Sequence, residues 1–139
     1  MIEQLMQLIQ TESTETVINN PEVPNEYNES VMQEAGASVT TTLQNMLASG
    51  QAKEVMSLFK TAPDQVGSHP AAQQISGNFM SSIMEKFGLN SGAAGNIAGS
   101  LIPMVLGKLV GRTNDPNDSS MNIQDIFNGL SNNRTSGID

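Results

Sequence analysis

The sequence predicts an all-α fold: a single-domain, multihelical bundle of about six or seven helices. Three observations lead there. Nearly every apolar run has helical spacing, and no run of Val, Ile and Thr alternates as a strand would. Proline and glycine cut the chain into helix-sized pieces. At 139 residues and 37% apolar, the chain is long enough to bury one core without a metal or a disulfide.

The first helix starts at Ile2 and carries Leu5, Met6 and Ile9 on one face. The polar stretch "TESTET" is expected to break it before Val17 and Ile18. "NNPEVPNE" then ends the segment, because Pro21 and Pro24 hold their predecessors out of the α region. A long second helix begins at Pro24 or Asn25 and runs to about Ser49. It places Met32, Ala35, Val39, Leu43, Met46 and Leu47 on one side, and Gly50 stops it. A short third helix covers Gln51 to Thr61, with Val55, Met56 and Phe59 clustered. Pro63, Gly67 and Pro70 mark a loop.

Pro70 suits the first turn of a fourth helix, where its missing N–H costs nothing. This helix presents Ala72, Ile75, Phe79, Met80, Ile83, Met84 and Phe87, an arc wide enough for a central position. "FGLN" ends it: Gly88 supplies the left-handed cap, and Asn90 or Ser91 caps the next helix. The fifth helix, Ser91 to Leu101, is built of Gly, Ala and Ser around Ile97. Pro103 is expected to interrupt it. A sixth helix then carries Met104, Val105, Leu106, Leu109 and Val110, with Met104 on the outer side beside Lys108. A last helix, Ile123 to Leu130, has apolar residues at i, i+3, i+4 and i+7. The single domain spans 1–130, and 131–139 is a polar tail.

The chain contains no cysteine, so disulfides, zinc–thiolate sites and thiol nucleophiles are excluded. Its N-terminus has no basic stretch ahead of the apolar one, which argues for a cytoplasmic protein rather than a secreted one. The net charge is −8. Residues 1–52 hold seven acidic and no basic side chains; residues 53–139 hold seven acidic and six basic. An acidic surface of this kind favours solubility and repels phosphate backbones.

Catalytic patterns are missing. The one histidine, His69, has neighbours Ser68 and Pro70, and nothing like G-x-S-x-G accompanies it. A hydrolase reading would need a serine and a carboxylate brought to His69 by the fold. Gly92, Gly95 and Gly99 follow no strand and precede no G-K-[ST], so they do not form a nucleotide loop. With Ala94 and Ala98 they read instead as small residues for helix packing or self-association. "AAGNIAGSLIPMVLGKLVG" is long enough to span a bilayer, but Asn96, Pro103 and Lys108 argue against a membrane span.

Helix, "FGLN", helix also has the outline of a helix-turn-helix unit over 79–102. Its outer face would be Asn90, Ser91 and Asn96, without an Arg or Lys to read a base edge. "TNDPNDSSMNIQDIF" holds the densest set of oxygen ligands. Counted from Asp115, however, it puts Ser120 and Ile126 where an EF-hand needs glycine and glutamate. The better reading is a proline turn followed by a helix capped by Asn122 and stapled by Met121 and Ile126. A calcium site outside an EF-hand would have to use Asp115 and Asp118.

Four stretches, "INNPEVPNE", "GNFMSSIMEKFGL", "GSLIPMVLGKL" and "TNDPNDSSMNIQDIF", resemble an uncharacterised bacterial family related to YidB, of the type found in Bacteroidetes. The resemblance runs through nearly the whole chain and is carried by order and spacing. It implies a multihelical cytosolic protein and brings no catalytic residue, cofactor or metal with it. The expectation is therefore a non-enzymatic module that binds an unknown protein partner or itself. The alternative is a DNA-associated regulator using the 79–102 unit.

Overall fold

Each regular element of the described chain is helical. The computed structural model describes residues 2–115 and Asn128. Its helices are α1 (Ile2–Ser13), α2 (Asn28–Ala48), α3 (Ala52–Lys60), α4 (Pro70–Phe87) and α5 (Ser91–Thr113). The expected helix at 123–130, the Pro116 turn, the Asn122 cap and the Met121–Ile126 staple lie outside the described residues, as does the tail.

The "TESTET" stretch does not break the first helix but widens it. α1 passes into a π-helical turn, Thr14–Ile18. The cause is local: Ser13 Oγ donates to the Ile9 carbonyl, and Thr16 Oγ1 to the Glu12 carbonyl at 3.3 Å. Such back-bonding loosens the regular ladder, and the Asn19 N–H then reaches Thr14 O at 2.8 Å, five residues back. The extra residue in the turn keeps Val17 in register with the core, where it is fully buried, and leaves Ile18 41% exposed.

Pro24 leads into a 3₁₀ helix, Asn25–Tyr27, that feeds α2. The predicted α2 face is the buried one: Met32, Ala35, Val39, Leu43 and Met46 all lie in the core. α4 packs on α2 and α5, burying Ala72, Ile75, Phe79 and Ile83. Around this centre, the Tyr27 and Phe87 rings pack at a 34° tilt with centroids 5.3 Å apart, and Asn78 donates to Thr42 at 2.9 Å. Lys86 bridges to Glu34 at 2.9 Å. The segment read as a loop at 63–68 is a 3₁₀ helix, Pro63–Ser68, which seats Val66 in the core against α5.

Pro103 does not divide α5. The helix continues unbroken from Ser91 to Thr113, so the expected fifth and sixth helices are one. An interior proline costs about 3 kcal/mol. Leu101, Ile102, Val105 and Leu106, on either side of it, are each fully buried. Each such side chain gains about 1.5–3 kcal/mol on burial, so the core outweighs the break. The carbonyl deprived of its N–H partner belongs to Gly99, which is exposed. Water can satisfy it.

Candidate interaction surface

Both ends of α4, and the corner that leads from it into α5, are built as their residues require. His69 caps α4, its Nδ1 accepting from the Ala71 N–H at 3.0 Å, and Pro70 follows at the first helical position. Gly88 ends α4 with φ 69°, a left-handed conformation that glycine adopts without strain. Leu89 folds back into the core. Asn90 then starts α5, its Oδ1 accepting from the Ala93 N–H at 2.8 Å.

Beyond that cap the five small residues divide between two sides of α5. Ala94 and Ala98 are buried with Ile97. Gly92 and Gly99 are exposed, and Gly95 is half-buried beside Met80, whose Cε would lie 3.7 Å from a β-carbon there. At Gly92 a β-carbon would come within 3.3 Å of the capping Asn90 Oδ1; at Gly99 it would meet nothing within 4 Å. Asn90, Ser91 and Asn96 share this outer side and are exposed. The result is a strip of nearly bare backbone along a helix whose other side is core.

One further surface feature flanks the bundle. A groove between α1, the Pro63–Ser68 helix and α5 is lined by Glu12, Asp64, Met104 and Lys108 over a floor of Gly67, Pro103 and Gly107. It continues past Gly111 to Arg112 and Asp115. Its charges are mixed in sign, so it selects neither anions nor cations. As expected, Met104 is exposed on this side, at 39%.

The fold brings Ser57, on α3, to His69: Oγ lies 3.0 Å from Nε2. The polarity of this pair follows from the cap. Because Nδ1 accepts from Ala71, a neutral ring carries its proton on Nε2 and donates it to Ser57 Oγ. In this arrangement the ring is not a base for that serine, and among the described residues no carboxylate hydrogen-bonds to His69. The pairing could not be read from the sequence, since it joins two elements across a helix and a turn.

No group of three or more His, Asp or Glu among the described residues is arranged to hold a metal ion. Asp115 is exposed at the end of α5; Asp118 lies outside the described residues. α5 is long and apolar enough to cross a membrane by length and composition, with 56% of its most apolar window buried inside the bundle. Neither a protein-family model, nor a curated protein, nor a solved structure matches the chain.

Proposed function

We propose that the chain is a non-enzymatic interaction module that associates with itself through the outer face of α5, at Gly92, Gly95 and Gly99. One observation carries this reading: Gly99 sits in mid-helix with open space above it, as Gly77 does on α4, but only Gly99 stands in line with further glycines, exposed Gly92 and half-buried Gly95. A glycine in a helix interior costs about 1 kcal/mol relative to alanine. At Gly107 or Gly67 close internal packing repays that cost; at Gly99 nothing inside the molecule does. A second helix backbone approaching the strip would.

The reading takes α5 as a core helix rather than a membrane span, and keeps the protein in the cytoplasm, in keeping with a chain that has no cysteine. The likeness to the YidB-related family supports an all-α module and adds no activity. Light scattering at 0.5 M salt tests the reading. Wild type is expected to exceed monomer mass, Gly99→Ala to weaken the association, and Gly99→Leu to run as a monomer. A wild-type monomer at every concentration would sink it.

The nucleic-acid reading has weaker support. The "FGLN" turn leaves Ser91 and Asn96 exposed, but the Asn90 oxygen is committed to its cap and the nearby Lys86 is paired with Glu34. That face offers no free cation among the described residues for phosphate or a base edge.

A further inference from the structure

Two surface patches, far apart in sequence, are opposite in charge, and each has an apolar centre. The first is on α3. Lys53 and Lys60 stand two helical turns apart on the same exposed side, about 10 Å along the axis. With Ala52, Met56 and Ser57 they line a shallow, mostly apolar groove. Neither lysine has an ion-pair partner among the described residues. The second patch is the π-helical turn. Its last residue, Ile18, is one of two large hydrophobic side chains left exposed among the described residues. Glu15 precedes it by three positions and Glu22 follows by four, both exposed. Asn19 Nδ2 donates to Glu15 Oε1 at 3.2 Å and so helps hold that carboxylate beside the apolar knob.

One patch is an apolar hollow flanked by two cations; the other is an exposed apolar side chain with an acidic residue three positions before it and another four positions after. We propose that the α3 groove receives Ile18 from a second copy of this chain, with Glu15 and Glu22 of that copy seated on Lys53 and Lys60. The occupant is argued from charge. An apolar groove framed by lysines selects an acidic partner, and residues 1–52 of the chain itself hold seven acidic and no basic side chains. This contact rests on the reading of the chain as a self-associating module and gives it a second, distinct surface. Because groove and knob differ, the contact is head-to-tail: each pair leaves one groove and one knob free, and assembly grows with concentration unless a ring closes. The glycine strip on α5 carries no charge, so the two contacts respond differently to salt.

Sedimentation velocity over a concentration series, at ~20 mM and ~500 mM salt, separates them. Wild type is expected to associate about tenfold more strongly at low salt than at high salt. K53E/K60E and E15K/E22K are each expected to lose that low-salt component. An equimolar mixture of the two should regain it, because each variant then meets its opposite. K108E/R112E, with the same change of net charge placed away from the groove, should behave as wild type. Ile18→Asp should weaken the contact as the charge swaps do. Association that is indifferent to salt and to both swaps would overturn the proposal and leave the glycine-strip reading standing. A wild-type monomer throughout would overturn both. Salt-sensitive association that the mixture fails to restore would show that these patches are not partners.

Discussion

The carbonyl oxygen of Pro63 lies so close over Gly107 that a β-carbon on residue 107 would sit 2.9 Å from it. Real β-carbons do not approach backbone oxygen that closely, so either the Pro63–Ser68 helix or α5 would have to move. Gly107→Ala is therefore expected to destabilise the fold by about 1–3 kcal/mol, as overpacking does. Urea denaturation would read this as a lower midpoint at unchanged slope.

Gly36 offers a contrast with the same distance criterion and a different neighbour. A β-carbon there would come within 2.6 Å of Met6 Sδ. Met6 is half-buried and its thioether can swing away, as an unbranched side chain does. Gly36→Ala is expected to cost under ~1 kcal/mol, with helix propensity offsetting part of the strain. A loss as large as that of Gly107→Ala would mean that the α1–α2 contact is as rigid as the α5 one.

These glycines mark where sequence reading succeeded and where it ran out. The buried faces of α2 and α4 were legible because 3.6-residue spacing is a property of one helix. Close packing belongs to two elements. Gly95 and Gly99 have the spacing associated with tight helix pairs, yet the tightest backbone approach falls on Gly107, against a carbonyl more than forty residues earlier. The Ser57–His69 contact was hidden for the same reason. Pro103 does not interrupt α5 as its local propensity predicts, because burial of its four neighbours Leu101, Ile102, Val105 and Leu106 is a tertiary effect that outweighs it. The π-helical turn depends on side-chain back-bonding to Ile9 and Glu12, which leaves no period to read.

The His69 cap gives a prediction that separates capping from chemistry. His69→Ala removes the acceptor for the Ala71 N–H and should cost about 1 kcal/mol. His69→Asn and His69→Asp, good N-cap residues, should recover most of it, whereas Ser57→Ala should cost less than His69→Ala. Thermal unfolding of the four variants checks the order. Failure of both replacements to recover stability would mean that the contact with Ser57, not the cap, is what matters at the start of α4.

The second cap, beyond the opposite end of α4, is tested by Asn90 and Gly88. Asn90→Ala leaves the Ala93 N–H without its side-chain acceptor and should cost about 1 kcal/mol. Gly88→Ala forces a side chain into a backbone with φ 69°, at a cost of about 1–2 kcal/mol. The two act on consecutive turns of one corner, so the double variant is expected to depart from additivity. Strict additivity would mean that α4 and α5 end and begin independently.

Pro103 permits the sharpest stability test, because two effects oppose each other there. Replacing it with alanine restores an N–H able to donate to the Gly99 carbonyl and removes the ring's clash with that turn, together worth about 3 kcal/mol in an ordinary helix. Against this, Pro103 packs on Gly67: a β-carbon on residue 67 would lie 3.2 Å from Pro103 Cβ. Alanine keeps that atom and loses only the outer ring carbons, on a residue that is half-buried. The helix term is the larger, so Pro103→Ala is expected to raise stability by about 1–2 kcal/mol, net of the ring atoms removed. Differential scanning calorimetry should show a higher Tm. A lower Tm would mean that the ring's contact with Gly67 holds the Pro63–Ser68 helix against α5 more strongly than the backbone hydrogen bond would.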